Sequence, residues 1–174
     1  MKKRGYLLLN SKYLMCFLGL ICLIACQKDK KSSTGQNKET KDLDSLYQLR
    51  INLDKVSLGK KPTEAALKWE DYMATQTELE QWKGYQFTEI ISNADNLQSV
   101  TDSLRLEIPE KFNNKPIQAR LKTIATQADM LDLYVRKSEN HQAMYRQAES
   151  IIASFIALKR QMNEVFIKEF SVEE

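Results

Sequence analysis

Three stretches of this chain carry apolar side chains that recur at alternating steps of three and four residues, and this period constrains the fold most. It keeps one face of an α-helix apolar over many turns, so each stretch predicts a helix packed along a neighbour. Five glycines and three prolines among 174 residues are too few for many tight turns. The sequence therefore predicts an elongated all-α protein of three to four antiparallel helices, with coiled-coil-like seams. The seam positions are Phe87, Ile90, Ala94, Leu97, Thr101, Leu104 and Ile108; Ile117, Leu121, Ile124, Ala128, Leu131, Val135 and Ser138; and Met144, Ala148, Ile151, Phe155, Leu158, Met162 and Val165.

Two prolines set the boundaries of the longer helices. Pro109 ends the first seam, because the residue before a proline is pushed out of the helical region. Pro116 suits the first turn of the next helix, and Thr63 is a suitable N-cap for the preceding one. We therefore predict helices over about 63–108 and 116–168.

Each of these two predicted helices contains one break in its apolar period, near Gly84 and near Asn140. If both breaks are turns, the chain forms a four-helix up-and-down bundle. If both are kinks, it forms one long hairpin. We favour the hairpin, since neither break contains a proline and a single glycine is a weak signal for a full reversal.

A further short helix is predicted over about 42–57, packed near the open end of the hairpin. Leu49, Ile51 and Leu53 alternate there, as they would in a β-strand. We nevertheless favour a helix, because no second strand pattern exists with which this segment could pair.

The first 25 residues have the layout of a secretory signal. Four basic side chains, at Lys2, Lys3, Arg4 and Lys12, precede an apolar run that ends in Leu23-Ile24-Ala25-Cys26. A small residue directly before cysteine resembles the lipobox of bacterial lipoproteins. That resemblance implies cleavage before Cys26, diacylation of its thiol and a chain tethered to a membrane. An uncleaved membrane anchor is the alternative, which Lys12 disfavours because it interrupts the apolar span.

Cleavage before Cys26 would change the charge and the cysteine content of the chain. The signal removes four of the 26 basic residues and none of the 23 acidic ones, leaving 22 against 23. This balance argues against a nucleic-acid partner, which needs a clustered basic face. Cys16 and Cys22 leave with the signal, so no internal disulfide is possible. Residues 26–41 are polar and predict a flexible tether between the lipid and a helical domain over 42–174.

The sequence contains no complete set of residues typical of a catalytic or metal site. Ser57 and Lys60 have the spacing of the penicillin-binding serine motif, but the accompanying motifs are absent. His141 is the only histidine and is expected in an exposed turn rather than in a metal site. We therefore predict no enzymatic activity, no metal and no cofactor.

Aromatic residues concentrate around the predicted first long helix, at Trp69, Tyr72 and Trp82. Core packing is the simpler interpretation. The functional interpretation is a face for a partner or ligand, because exposed aromatic side chains mark such surfaces.

Two further segments, 108–121 and 161–166, together with the lipobox, resemble a group of small helical lipoproteins of Bacteroidota. The resemblance covers about residues 42–168 and implies a fold and a location, without an activity or a site. If Arg120 and Asn163 have special roles, polar contacts across the hairpin explain them more simply than catalysis does. Asp29 lies between Lys28 and Lys30, whereas surface-exported members of such groups carry acidic residues after the cysteine.

These observations predict a non-enzymatic, lipid-anchored protein of the bacterial cell envelope. We expect it to face the periplasm, on the outer membrane rather than the inner one. Its helical domain would bind a protein partner or a second copy of itself. The alternative is a periplasmic bundle that binds or senses a small ligand.

Overall fold

The computed structural model describes residues 33–137 and 140–170, with side chains over 38–137 and 140–167. The signal residues 1–25, Cys26, the tether up to residue 32 and Ser138 lie outside the described residues. The chain divides into two units, Met1–Glu39 and Thr40–Glu174, and the following description is of the second. Over the described range the α-helices are α1 Ser33–Leu46, α2 Lys60–Ala66, α3 Glu70–Gln81, α4 Phe87–Ser92, α5 Ala94–Ser103, α6 Lys115–Arg136 and α7 His141–Phe170.

The prediction of an all-α fold is confirmed, since the described residues contain seven α-helices, three short 3-10 turns and no strand. The prediction of three to four helices is wrong. The segment 63–108, predicted as one helix, is divided among α2, α3, α4 and α5. Thr63 is not an N-cap but lies inside α2, where its hydroxyl donates to the carbonyl of Gly59 at 2.8 Å.

The break near Gly84 is a reversal of the chain. Beyond it α5 runs antiparallel to α3, because Thr75 donates to the carbonyl of Val100 at 3.3 Å and Asn96 donates to Glu78 at 2.6 Å. A Cβ added at Gly84 would meet open space, so this glycine is not required by close packing. Helix α4 begins after its N-cap residue Gln86, whose backbone N–H donates a hydrogen bond to the carboxylate of Glu89 at 2.6 Å.

The break near Asn140 is also a reversal. Helices α6 and α7 pack against each other although only residues 137–140 join them. The end of α7 lies beside the start of α6, where the rings of Phe112 and Phe166 are 5.9 Å apart. Both predicted kinks are therefore turns, and the long hairpin is wrong. We call α3 to α7 the bundle, residues 82–86 and 137–140 its reversal end, and the opposite end its open end.

The predicted seams form the core of this bundle. Among the described seam positions, all are buried except Ile108, Val135 and Val165, which are partly buried. The seam positions over 87–108 still form one buried face although Asn93 separates α4 from α5, because α5 continues in nearly the same register as α4. Asn114 caps α6 by accepting from the N–H of Ile117 at 3.1 Å, with Pro116 in the first turn as predicted.

The segment predicted as a helix over 42–57 is helical only up to Leu46. Residues 47–59, which we call the strap, are irregular apart from a 3-10 turn over Leu53–Lys55. Their burial alternates: Tyr47, Leu49, Ile51 and Leu53 face the bundle, and the residues between them are exposed. The alternation therefore reflects an extended backbone that packs on helices without a strand partner.

Among the residues described, none of the helices combines the length and the apolar character that crossing a membrane requires.

Candidate functional site

The strap is attached to α7 by hydrogen bonds from side chains to its backbone. Tyr145 donates to the carbonyl of Gln48 at 3.2 Å, and Lys159 donates to that of Leu53 at 2.9 Å. The Asn163 amide donates to the carbonyl of Ser57 at 2.9 Å and accepts from the N–H of Gly59 at 2.9 Å.

These contacts follow one another in the same order along both segments, so the strap runs parallel to α7. The 18 residues from Tyr145 to Asn163 span about 27 Å of helix. Nine extended residues from Gln48 to Ser57 reach about 30 Å, which the 3-10 turn shortens. The length of the strap therefore matches that of the α7 segment beside it, and the end of the strap places Ser57 and α2 at the open end of the bundle.

Lys159, which donates to the strap, is the most deeply buried charged residue in the described part of the chain. Only 6% of its surface is exposed. Burial lowers the pKa of its ammonium, an effect that the nearby charges of Asp54 and Glu80 oppose and that of Lys83 reinforces. Asp54 forms its ion pair with Lys83, at 3.1 Å, rather than with Lys159.

A cavity of about 190 Å³ lies beside Lys159, between the end of the strap, α2, α3 and α7. We call it the Tyr72 cavity. Tyr72 is 1% exposed, and no hydrogen-bond partner for its hydroxyl exists in the described part of the chain. Burial, reinforced by the charge of Glu80, raises the pKa of this hydroxyl, so it stays a donor at neutral pH. The lining residues are Ser57, Leu58, Thr63, Ala66, Leu67, Tyr72, Met73, Gln76 and Lys159.

A second and more open depression, of about 490 Å³, adjoins it at Ser57. We call it the open-end groove. Its apolar lining residues are Pro62, Phe166 and Ile167, and two lysines, Lys60 and Lys61, also line it. Asn163 forms part of its wall, so the amide that fixes the strap also shapes the groove. The full lining is Ser57, Gly59, Lys60, Lys61, Pro62, Asn163, Phe166 and Ile167.

The three aromatic residues predicted as a partner or ligand face are core residues. Trp69, Tyr72 and Trp82 are each 1% exposed, so none presents a surface to a partner in this structure. The rings of Trp69 and Tyr72 stack at 5.7 Å, and Tyr72 stacks on Phe155 at 5.4 Å. Trp82 lies 13 residues after Trp69, at the reversal end. Only Tyr72 lines the Tyr72 cavity.

The other residues considered in the sequence fall in different places. Ser57 and Lys60 both line the open-end groove. His141 is half-buried in an aromatic cluster, with its ring 6.5 Å from those of Tyr47 and Phe87. Arg120 is exposed on α6. Asn163 makes the long-range polar contacts expected of it, but with the strap instead of the facing helix of a hairpin.

Lys159 is the site residue that the sequence analysis missed, although a signal was present. It lies four residues after Phe155 and seven before Phe166, which places it on the same helical face as these buried rings. A lysine on an apolar face is unusual, because burying an ammonium is costly unless it is hydrogen-bonded. The carbonyl of Leu53 supplies that bond.

Across residues 33–137 and 140–170, no group of three His, Cys, Asp or Glu side chains is placed to hold a metal ion. No family model, curated protein or solved structure matches this chain.

Proposed function

We propose that this chain is a lipid-anchored protein of the bacterial cell envelope, facing the periplasm, whose helical domain binds a protein partner without catalysing a reaction. The anchor rests on the sequence Leu23-Ile24-Ala25-Cys26 after a basic head and an apolar run. With that tether, a domain of this size needs only one contact surface to recruit a partner to the membrane.

The observation that carries the interaction is a set of exposed apolar side chains at the open end. Leu67, Leu106 and Ile167 are 62%, 78% and 65% exposed. They come from the loop before α3, the loop after α5 and the last turn of α7, each of which lies at the open end of the bundle. Large apolar side chains grouped on one surface mark interaction sites, whereas isolated ones need no explanation.

Crosslinking in the native envelope tests this proposal. A photoreactive residue at Leu106 should capture a protein, and a double substitution Leu67→Glu and Leu106→Glu should abolish the capture. Both positions are exposed, so we expect the free energy of unfolding to change by only about 0.5 kcal/mol. Leu46, which is 74% exposed and belongs to α1, provides the matched control through Leu46→Glu.

Capture of a second copy of this chain would identify self-association. A photoreactive residue at Leu46 that captures the same protein as efficiently as one at Leu106 would contradict a dedicated surface at the open end.

A second candidate function is the binding or sensing of a small ligand. The Tyr72 cavity favours it, because a cavity lined by both the buried polar residues Tyr72 and Lys159 and apolar side chains has the composition of ligand sites. This function is compatible with the same anchor and requires no exposed partner surface.

A further inference from the structure

The ammonium of Lys159 is buried and forms no ion pair in the described part of the chain, and the carboxylates of Asp54 and Glu80 act on it only from beyond ion-pair distance. It donates one hydrogen bond, to the carbonyl of Leu53, although an ammonium group carries three donors. No carboxylate lies within ion-pair distance of it among the residues that the structure describes. A buried cation of this kind is stabilised by an anion placed next to it.

Tyr72 lines the same cavity, and its hydroxyl is a second buried donor without a partner among the described residues. A buried hydroxyl without a partner costs about 1–3 kcal/mol, so its retention in a closely packed core calls for an acceptor. The cavity that Tyr72 and Lys159 both line is also lined by Gln76 and by the apolar side chains of Leu58, Ala66 and Met73. Its rim includes Ser57, Thr63 and Leu67, which are exposed, so a solute can enter there.

We propose that the Tyr72 cavity binds the carboxylate of a small organic acid. Lys159 and Tyr72 donate to the carboxylate oxygens, and the apolar wall contacts a short aliphatic chain. One cation suits a monoanion better than a phosphate dianion, which is usually bound by several donors or by arginine. A volume of about 190 Å³ equals that of roughly six water molecules, which limits the ligand to a few carbon atoms. This inference rests on the second candidate function and names its ligand class.

Calorimetric titration of the full-length protein in detergent with acetate, butyrate and hexanoate tests the inference, with butyramide as the uncharged analogue at equal ionic strength. Butyrate should bind saturably and butyramide about tenfold or more weakly, since a charge-assisted hydrogen bond contributes on the order of 1.5–3 kcal/mol. If butyramide binds as tightly as butyrate, the carboxylate assignment is wrong while ligand binding stands. If none of the three acids binds at millimolar concentration, the inference is wrong, and the second candidate function loses only the ligand class named here.

Two substitutions locate the binding. Lys159→Met should weaken butyrate about tenfold or more, and Tyr72→Phe about three- to tenfold, because each removes one donor. Lys122→Met and Tyr85→Phe are the matched controls: Lys122 is exposed on α6, and Tyr85 bonds Gln81 at the reversal end. Circular dichroism confirms that each variant is folded. A folded Lys159→Met protein that binds butyrate like the wild type would overturn the proposed site.

Discussion

At the scale of single residues, the Tyr72 hydroxyl allows a test of how this core is packed. Its ring is stacked between Trp69 and Phe155, while its oxygen has no partner within the described residues. We expect Tyr72→Phe to keep the stacking and to leave the free energy of unfolding unchanged or raised by about 1 kcal/mol, because an unsatisfied buried group is removed. Urea denaturation of the ligand-free protein measures this change.

Tyr145→Phe is the matched control for that substitution. The hydroxyl of Tyr145 does have an acceptor, the carbonyl of Gln48, so its removal should lower the free energy of unfolding by about 0.5–1 kcal/mol. A loss of stability in Tyr72→Phe as large as that in Tyr145→Phe would show that the Tyr72 hydroxyl is hydrogen-bonded.

Lys159 should make stability depend on pH on the alkaline side. Burial lowers its pKa below the 10.5 of a free lysine, so the unfolded chain binds this proton more tightly than the folded one. The free energy of unfolding therefore rises with pH between the lowered pKa and 10.5. Lys159→Met should lack this rise, and Lys122→Met should retain it. Urea denaturation at a series of alkaline pH values measures this rise, and identical pH profiles for wild type and Lys159→Met would contradict the assignment.

At the scale of elements, the strap is held by hydrogen bonds from α7 side chains to its backbone, in addition to the packing of its own apolar side chains on the bundle. Asn163→Leu removes both bonds to the strap's end, and we expect a loss of about 1–2 kcal/mol. The amide of Gly59 should also exchange with solvent roughly tenfold faster, because its acceptor is gone. Hydrogen exchange measured by NMR checks this prediction. Gln161→Leu is the control, since Gln161 bonds Glu164 on the same helix. Unchanged exchange at Gly59 would show that another group holds the strap.

The same element shows where sequence reasoning succeeded and failed. The three-four period predicted the core, because the spacing of apolar residues identifies the buried face whether a helix is continuous or divided in two. It did not predict the reversals at 82–86 and 137–140, where neither proline nor a required glycine marks the turn. The alternation of Leu49, Ile51 and Leu53 was read as part of a helix because no strand could pair with it. An extended segment needs no such partner when side chains such as Lys159 and Asn163 satisfy its carbonyls.

At the scale of the whole domain, the site is built from segments that are far apart in sequence. Tyr72 and Lys159 are separated by 87 residues, and only the reversals of the bundle bring α3 beside α7. The sequence therefore indicated that Tyr72 was notable but offered no means of pairing it with Lys159. Just before the strap, the carboxylate of Asp44 accepts a hydrogen bond from the backbone N–H of Thr88 at 2.9 Å. The strap therefore begins near the reversal end and finishes at the open end. The cavity, Leu67 and Leu106 thus lie at the end of the bundle opposite to the start of the strap.

Intact-mass spectrometry of the protein extracted from native membranes tests the central claim, which is the lipid anchor. We expect a chain that begins at Cys26, lacks residues 1–25 and carries the added mass of a diacylglyceryl group, whereas Cys26→Ser protein should remain unprocessed and without lipid. A native chain that retains residues 1–25 and carries no lipid would contradict the account.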